Sequence, residues 1–159
     1  MNTIDVMHHG HRTVMQAIDG LEAGQWEEPR VVGVWSTKDV VAHLAAFETI
    51  LIDVLTSIQD EDAETPILDE LFGAGPAAFN DAQVALRAHH MPGAVLEEYE
   101  ANVAQALELA RAVPQELFRR NGLLAWYGDE HDLDDFIVYT FYGHKREHAA
   151  QIELFRASQ

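Results

Sequence analysis

The chain reads as an all-α protein, a four-helix bundle with a long connection between its second and third helices. Three observations predict this. Apolar residues recur at three- and four-residue steps in four long segments, no segment alternates residue by residue as a half-buried strand does, and no internal repeat suggests a solenoid. With 159 residues, 48% hydrophobic and 23% charged, the chain fits one domain, 1–159, able to fold without a disulfide or a structural metal.

The first helix is expected over residues 4–21, where Ile4, Met7, His11, Val14, Ile18 and Leu21 share one face. The stretch "GQWEEPRVVGVW" contains Gly24, Pro29 and Gly33 and reads as a loop. A second helix opens at "WSTKD", where Ser36 or Thr37 can cap the free amides of the first turn and Asp39 suits the positive helix end. Its face runs Val40, Leu44, Phe47, Leu51, Val54, Ile58. Residues 60–76 form the long connection, acidic at first, broken by Pro66 and "FGAGP", with one short helical turn in "ILDELF". "PAAFNDAQVALRAHH" is a short helix begun by Pro76. "MPGAVLEEYEANVAQALELARAV" is a longer one, with Val95 or Leu96, Tyr99, Val103, Leu107 and Ala110 along one face. After Pro114, Asn121-Gly122 and Gly128 mark turns around an aromatic patch, and the last helix starts near Asp132 and runs to about Arg156.

Composition narrows the function. The chain has no cysteine, so a disulfide framework, a zinc finger and a protein-borne thiol nucleophile are all excluded. Twenty-seven acidic against ten basic residues give a net charge of −17, which repels phosphate backbones and anionic membranes. The expected partner is a small-molecule substrate, with no nucleic acid and no membrane. The N-terminus lacks the basic start and apolar core of a signal peptide, so the expected location is cytoplasmic.

The candidate site lies in "YGHKREHAAQIELF", residues 142–155, which sets His144 and His148 four apart. On a helical wheel at about 100° per residue, with Ile137 at zero, Leu133, Phe141, Ile152 and Phe155 fall within roughly 60° and both histidines within roughly 20°. That places the imidazoles at the centre of the apolar stripe, where each needs a partner for its ring nitrogens. Residues four apart on a helix can reach one ion, and His43, between Val40 and Phe47 on the second helix, can face the same interior. A lone pair of this kind is more often surface or hydrogen-bonded core; the inward placement and the third histidine put a metal site on an equal footing with that reading. His8 and His11 could approach the site, while His9, His89, His90 and His131 read as solvated. Lys145, not Glu, follows the first histidine, which disfavours a zincin-type protease. Trp26, Trp35, Trp126, Tyr127 and Tyr142 read as core and rim aromatics, or as a pocket wall above the metal. Glu48 and Tyr142 are candidates to orient a ligand or substrate.

The pieces "WSTKDVVAHLAAFE" (35–48), "FNDAQ" around Asn80 and "YGHKREHAAQI" (142–152) together resemble the DinB-like superfamily of metal-binding four-helix bundles, which includes YfiT-type thiol transferases. The family pattern places one metal-binding histidine on the second helix and two on the last, here His43, His144 and His148. The resemblance implies a divalent transition metal, zinc or nickel, a homodimer, and no DNA binding. It points to a metal-dependent transferase that activates a low-molecular-weight thiol of the mycothiol or bacillithiol type. A metal-dependent small-molecule hydrolase, or a non-catalytic metal-binding or sensor bundle, would use the same three residues.

Overall fold

The computed structural model describes residues 2–159 and is all-α. Asn2 starts α1 (Thr3–Ile18) by accepting the Asp5 amide at 3.0 Å, satisfying one of the first turn's free donors. The helix stops three residues before the expected end because Gly20 turns the chain with a φ of 74°. The following loop contains one short helix, α2 (Ala23–Trp26), which the sequence alone does not reveal and which buries Trp26.

α3 (Thr37–Gln59) opens on a reciprocal cap. The Asp39 amide donates to Ser36 Oγ at 3.2 Å, and the Ser36 amide donates to Asp39 Oδ2 at 3.0 Å. The helix is buried on more than its expected stripe, because Val41, Ala42, Ala45, Ala46, Ile50 and Leu55 are also inside. It packs along α6 (Pro92–Ala112), where Asn102 donates to the Ala45 carbonyl at 3.1 Å. Among the described residues it is the one helix long and apolar enough to cross a membrane, and 61% of its apolar window is buried within the fold, as in a core helix.

Between α3 and α6 the chain forms α4 (Pro66–Ala74) and α5 (Pro76–Leu86), both packed on α3. α4 is longer than the single turn expected. Pro66 presets its start, and Asp53 of α3 accepts the Ile67 and Leu68 amides at 2.8 and 3.0 Å, a tertiary cap that local sequence does not show. The end of α5 is tied down on both sides. Arg87 donates twice to the Glu98 carboxylate, at 2.9 and 2.7 Å, and Lys38 donates to the Ala88 and His90 carbonyls at 2.9 and 3.2 Å.

The last rod runs through α7 (Leu133–Ile137), a π-helical segment (Val138–Gly143) and α8 (His144–Ala157), with Asp132 as its N-cap. It lies along α1. A π turn carries about one extra residue and so rotates the helix beyond it by about 100°. Burial records the turn: Leu133, Phe136 and Ile137 are inside before it, and Phe141, Lys145, His148, Ala149 and Ile152 from its end onward. On an unbroken wheel those two sets centre roughly 110° apart. The single-wheel placement of both histidines at mid-stripe is corrected accordingly. His148 is buried, His144 is moved to the half-buried rim, and Lys145 is brought inside.

α1 can approach this rod closely because Gly10 faces it. A Cβ there would stand 3.3 Å from Lys145 Cδ and 3.5 Å from the Tyr142 ring. Gly10→Leu is therefore predicted to overpack the contact and cost about 1–3 kcal/mol, read as a lower denaturant midpoint. An unchanged midpoint would show that the two helices are not held at this distance.

Candidate metal centre

His43 projects from the second turn of α3, and His144 and His148 from the first two turns of α8. Their Nε2 atoms meet. His144 Nε2 lies 2.9 Å from His43 Nε2 and 2.8 Å from His148 Nε2. One ring nitrogen from each of the three falls within 4.8 Å of the others. The rings of His43 and His148 stand nearly perpendicular, at 89°. Trp35 and Phe47 pack on the His43 ring at 5.1 and 4.7 Å between centroids, and Phe47 also covers His144 at 4.5 Å.

Protons alone do not satisfy this arrangement. His148 Nδ1 lies 2.7 Å from Gln151 Oε1, an acceptor, so the proton sits on Nδ1 and the Nε2 lone pair points at the other rings. His144 Nε2 then has one hydrogen at most to offer two neighbours. Behind the cluster, the Nδ1 atoms of His43 and His144 are buried with no hydrogen-bond partner among the described residues. Burial pushes the His43 imidazolium down to about 3 and His144 to about 4, each pushed further by the neighbouring histidines. His148 is lowered too, chiefly by burial and partly offset by its bond to Gln151. All three rings are thus held neutral, the state in which imidazole is a ligand. Nitrogen ligands around a tetrahedral zinc stand about 3.3 Å apart, so His144 would draw back from each neighbour by a few tenths of an ångström to admit an ion among ligand atoms that all lie within 4.8 Å of one another. Three neutral, converging nitrogens fit a divalent transition metal.

A family model of the DinB superfamily matches residues 7–152. The chain belongs to the DinB superfamily. No curated protein and no solved structure gives a match. The span matched to the DinB superfamily takes in all three triad histidines, together with Gln151.

The other sequence candidates divide. Trp35 lies against the triad, whereas Trp126 and Tyr127 stack on Phe136 and Trp126 on Phe72. Tyr142 packs near Gly10 and under the Arg146 guanidinium. His89, His90 and His131 are exposed, as expected, while His9 is half-buried because its side of α1 is partly covered. His8 bonds Arg111, and His11 Nδ1 lies 3.3 Å from the Tyr99 hydroxyl, so neither joins the triad. Glu48 is buried in an ion pair with Lys145 rather than bracing a histidine. Lys145 also lies over the Tyr99 ring, 5.6 Å from its centroid. Burial and the Glu48 charge raise the Tyr99 hydroxyl well above its ordinary range, so Tyr99 stays neutral. Gln151 is legible in the sequence only through its spacing: three residues after His148, it stands one turn on along the same face.

The ion pair and the histidines make two predictions. Glu48→Leu or Lys145→Met leaves one charge buried without its counter-charge and should cost about 3–5 kcal/mol, whereas the two substitutions together should recover much of that loss. A double-mutant cycle by chemical denaturation checks this, and additive losses would contradict it. His11, His43 and His144 all carry folded-state values lowered by burial, to about 4, 3 and 4. The unfolded chain then binds more protons below about 6.5, so metal-free stability is complete above that pH and is lost as pH falls toward 4. A denaturant midpoint that stays level from pH 6.5 to 4 would contradict the buried, neutral triad.

Proposed function

We propose that His43, His144 and His148 hold a divalent transition metal, zinc or nickel, and that the protein is a metal-dependent transferase acting on a low-molecular-weight thiol of the mycothiol or bacillithiol type. The observation that carries the reading is the convergence of three neutral Nε2 atoms from two helices. Membership of the DinB superfamily supports it. Three nitrogen donors leave a position for an outside ligand, the pattern of catalytic rather than structural sites. When bound, such an ion supplies Lewis acidity that makes a thiol or water nucleophilic near neutral pH.

The chain's own residues set the conditions for that chemistry. Gln151 fixes the proton of His148 on Nδ1 and so keeps Nε2 free as a donor. Trp35 and Phe47 cover the rings and keep water from the apolar side, which holds the imidazoles neutral. With no cysteine in the chain, the thiol has to arrive from solution. The reading takes the substrate to be a small molecule and the setting to be cytoplasmic. The net charge of −17 supports it against nucleic acid.

His43→Ala, His144→Ala and His148→Ala should each weaken zinc or nickel binding at least about tenfold, measured by competition with a chromogenic chelator. Unchanged affinity in all three would refute the assignment. The activity is tested by incubating metal-loaded protein with mycothiol or bacillithiol and a generic electrophile such as a chlorodinitrobenzene. Thiol consumption faster than with the metal alone is expected. Turnover of an ester or amide panel without any thiol would instead make the protein a hydrolase.

A further inference from the structure

A groove of about 250 Å³ opens beside the triad, lined by Arg30, Val31, Gln151, Leu154, Phe155 and Ser158. Each wall is tied to one of the three histidines. On the helix side, Gln151 is the residue that accepts from His148. On the loop side, the Val31 amide donates to the Trp35 carbonyl at 2.8 Å, in a small turn closed by the Val32–Trp35 bridge, and the Trp35 ring packs on His43. The groove is therefore anchored at both edges to the rings that would hold the ion.

Its chemistry is that of an amphipathic anion site. Leu154 is 74% exposed, with the half-buried Phe155 and Val31 beside it, so the walls present apolar surface to solvent. The charge comes from Arg30. Of the ten basic side chains, Lys38, Arg87, Arg119 and Lys145 are in ion pairs. Arg111 bonds His8, Arg156 bonds the Ala17 and Asp19 carbonyls, and Arg146 lies over Tyr142. Arg12, Arg30 and Arg120 are left without a polar partner among the described residues, and of these Arg30 alone lines this groove. Arg30 is also the one non-glycine residue at positive φ among the described residues, at 76°, a conformation that glycine adopts at less cost. Arg30 is exposed, so its guanidinium is open to a ligand from solution, and its backbone holds a conformation that folding alone would give to glycine at less cost.

We propose that this groove binds a small organic anion, its carboxylate paired with the Arg30 guanidinium and its apolar body against Val31, Leu154 and Phe155. A planar guanidinium takes a carboxylate through two parallel N–H donors, and the apolar wall gives the remainder of the molecule a surface to leave water. An anion seated there lies beside His148 and Gln151, next to the proposed metal site. The binding itself depends on the groove alone, so failure of metal loading would leave it standing.

The test is an NMR titration of metal-free, full-length protein with hexanoate, with hexanol and inorganic phosphate as the tail-only and charge-only probes. Hexanoate should give saturable shifts centred on the Val31, Gln151 and Leu154 amides. Hexanol and phosphate should each bind several-fold more weakly. R30Q should weaken hexanoate about tenfold or more, the size expected on losing a charge-assisted contact, while R30K, which keeps the charge but not the two parallel donors, should fall between wild type and R30Q. R30G should bind as poorly as R30Q yet melt no lower than wild type, which separates lost binding from lost fold. Hexanoate binding that survives in R30Q or R30G, or phosphate or hexanol binding as tightly as hexanoate, would overturn the proposal.

Discussion

The structure depends on one constraint: a single helix has to bury a lysine and a histidine, and hold a second histidine at their rim, without leaving any of them unmatched. A regular α-helix through residues 133–157 would keep one stripe inward throughout. The π segment Val138–Gly143 turns the rod partway along, so that the first half presents Leu133, Phe136 and Ile137 and the second presents Lys145, His148 and Ile152. Lys145 then meets Glu48, while His144 and His148 meet His43. Both partners come from α3, five residues apart, so α3 fixes the register of the last helix with a charge pair on one side and an imidazole cluster on the other. π turns are frequent at functional sites, and here the reason is geometric.

That arrangement gives the two buried polar clusters different characters. The Glu48–Lys145 pair balances its own charge, and Tyr99 and His11 stand beside it as neutral groups. The triad is not complete in itself. Its three lone-pair positions converge, two of its outer nitrogens have no partner among the described residues, and burial makes protonation a poor remedy. A protein that keeps such a cluster gains from it only if something cationic settles among the rings.

Much of this is legible in the sequence because it rests on local rules. The cap at Ser36 with Asp39 in the first turn, the proline start at Pro76 and the four long periodic segments come from capping and periodicity. The three histidines come from spacing and from the resemblance to the DinB superfamily. The rest is hidden because it is tertiary. A π turn leaves no period of its own to read, so a single wheel puts His144 too deep and leaves Lys145 outside. The length of α4 depends on Asp53, thirteen residues before it, and the end of α5 depends on Lys38 and Glu98. Glu48 stands out in the sequence one turn beyond His43, but its partner is the lysine that the wheel turns away.

X-ray absorption at the metal edge of zinc- or nickel-loaded protein tests directly whether the three imidazole nitrogens converge on one ion. The expected first shell contains three nitrogens at about 2.0–2.1 Å, with the outer-shell scattering of imidazole rings, lost in part when His43 is replaced by alanine. A shell of oxygen ligands without imidazole scattering, or a spectrum unchanged in the His43→Ala protein, would contradict it.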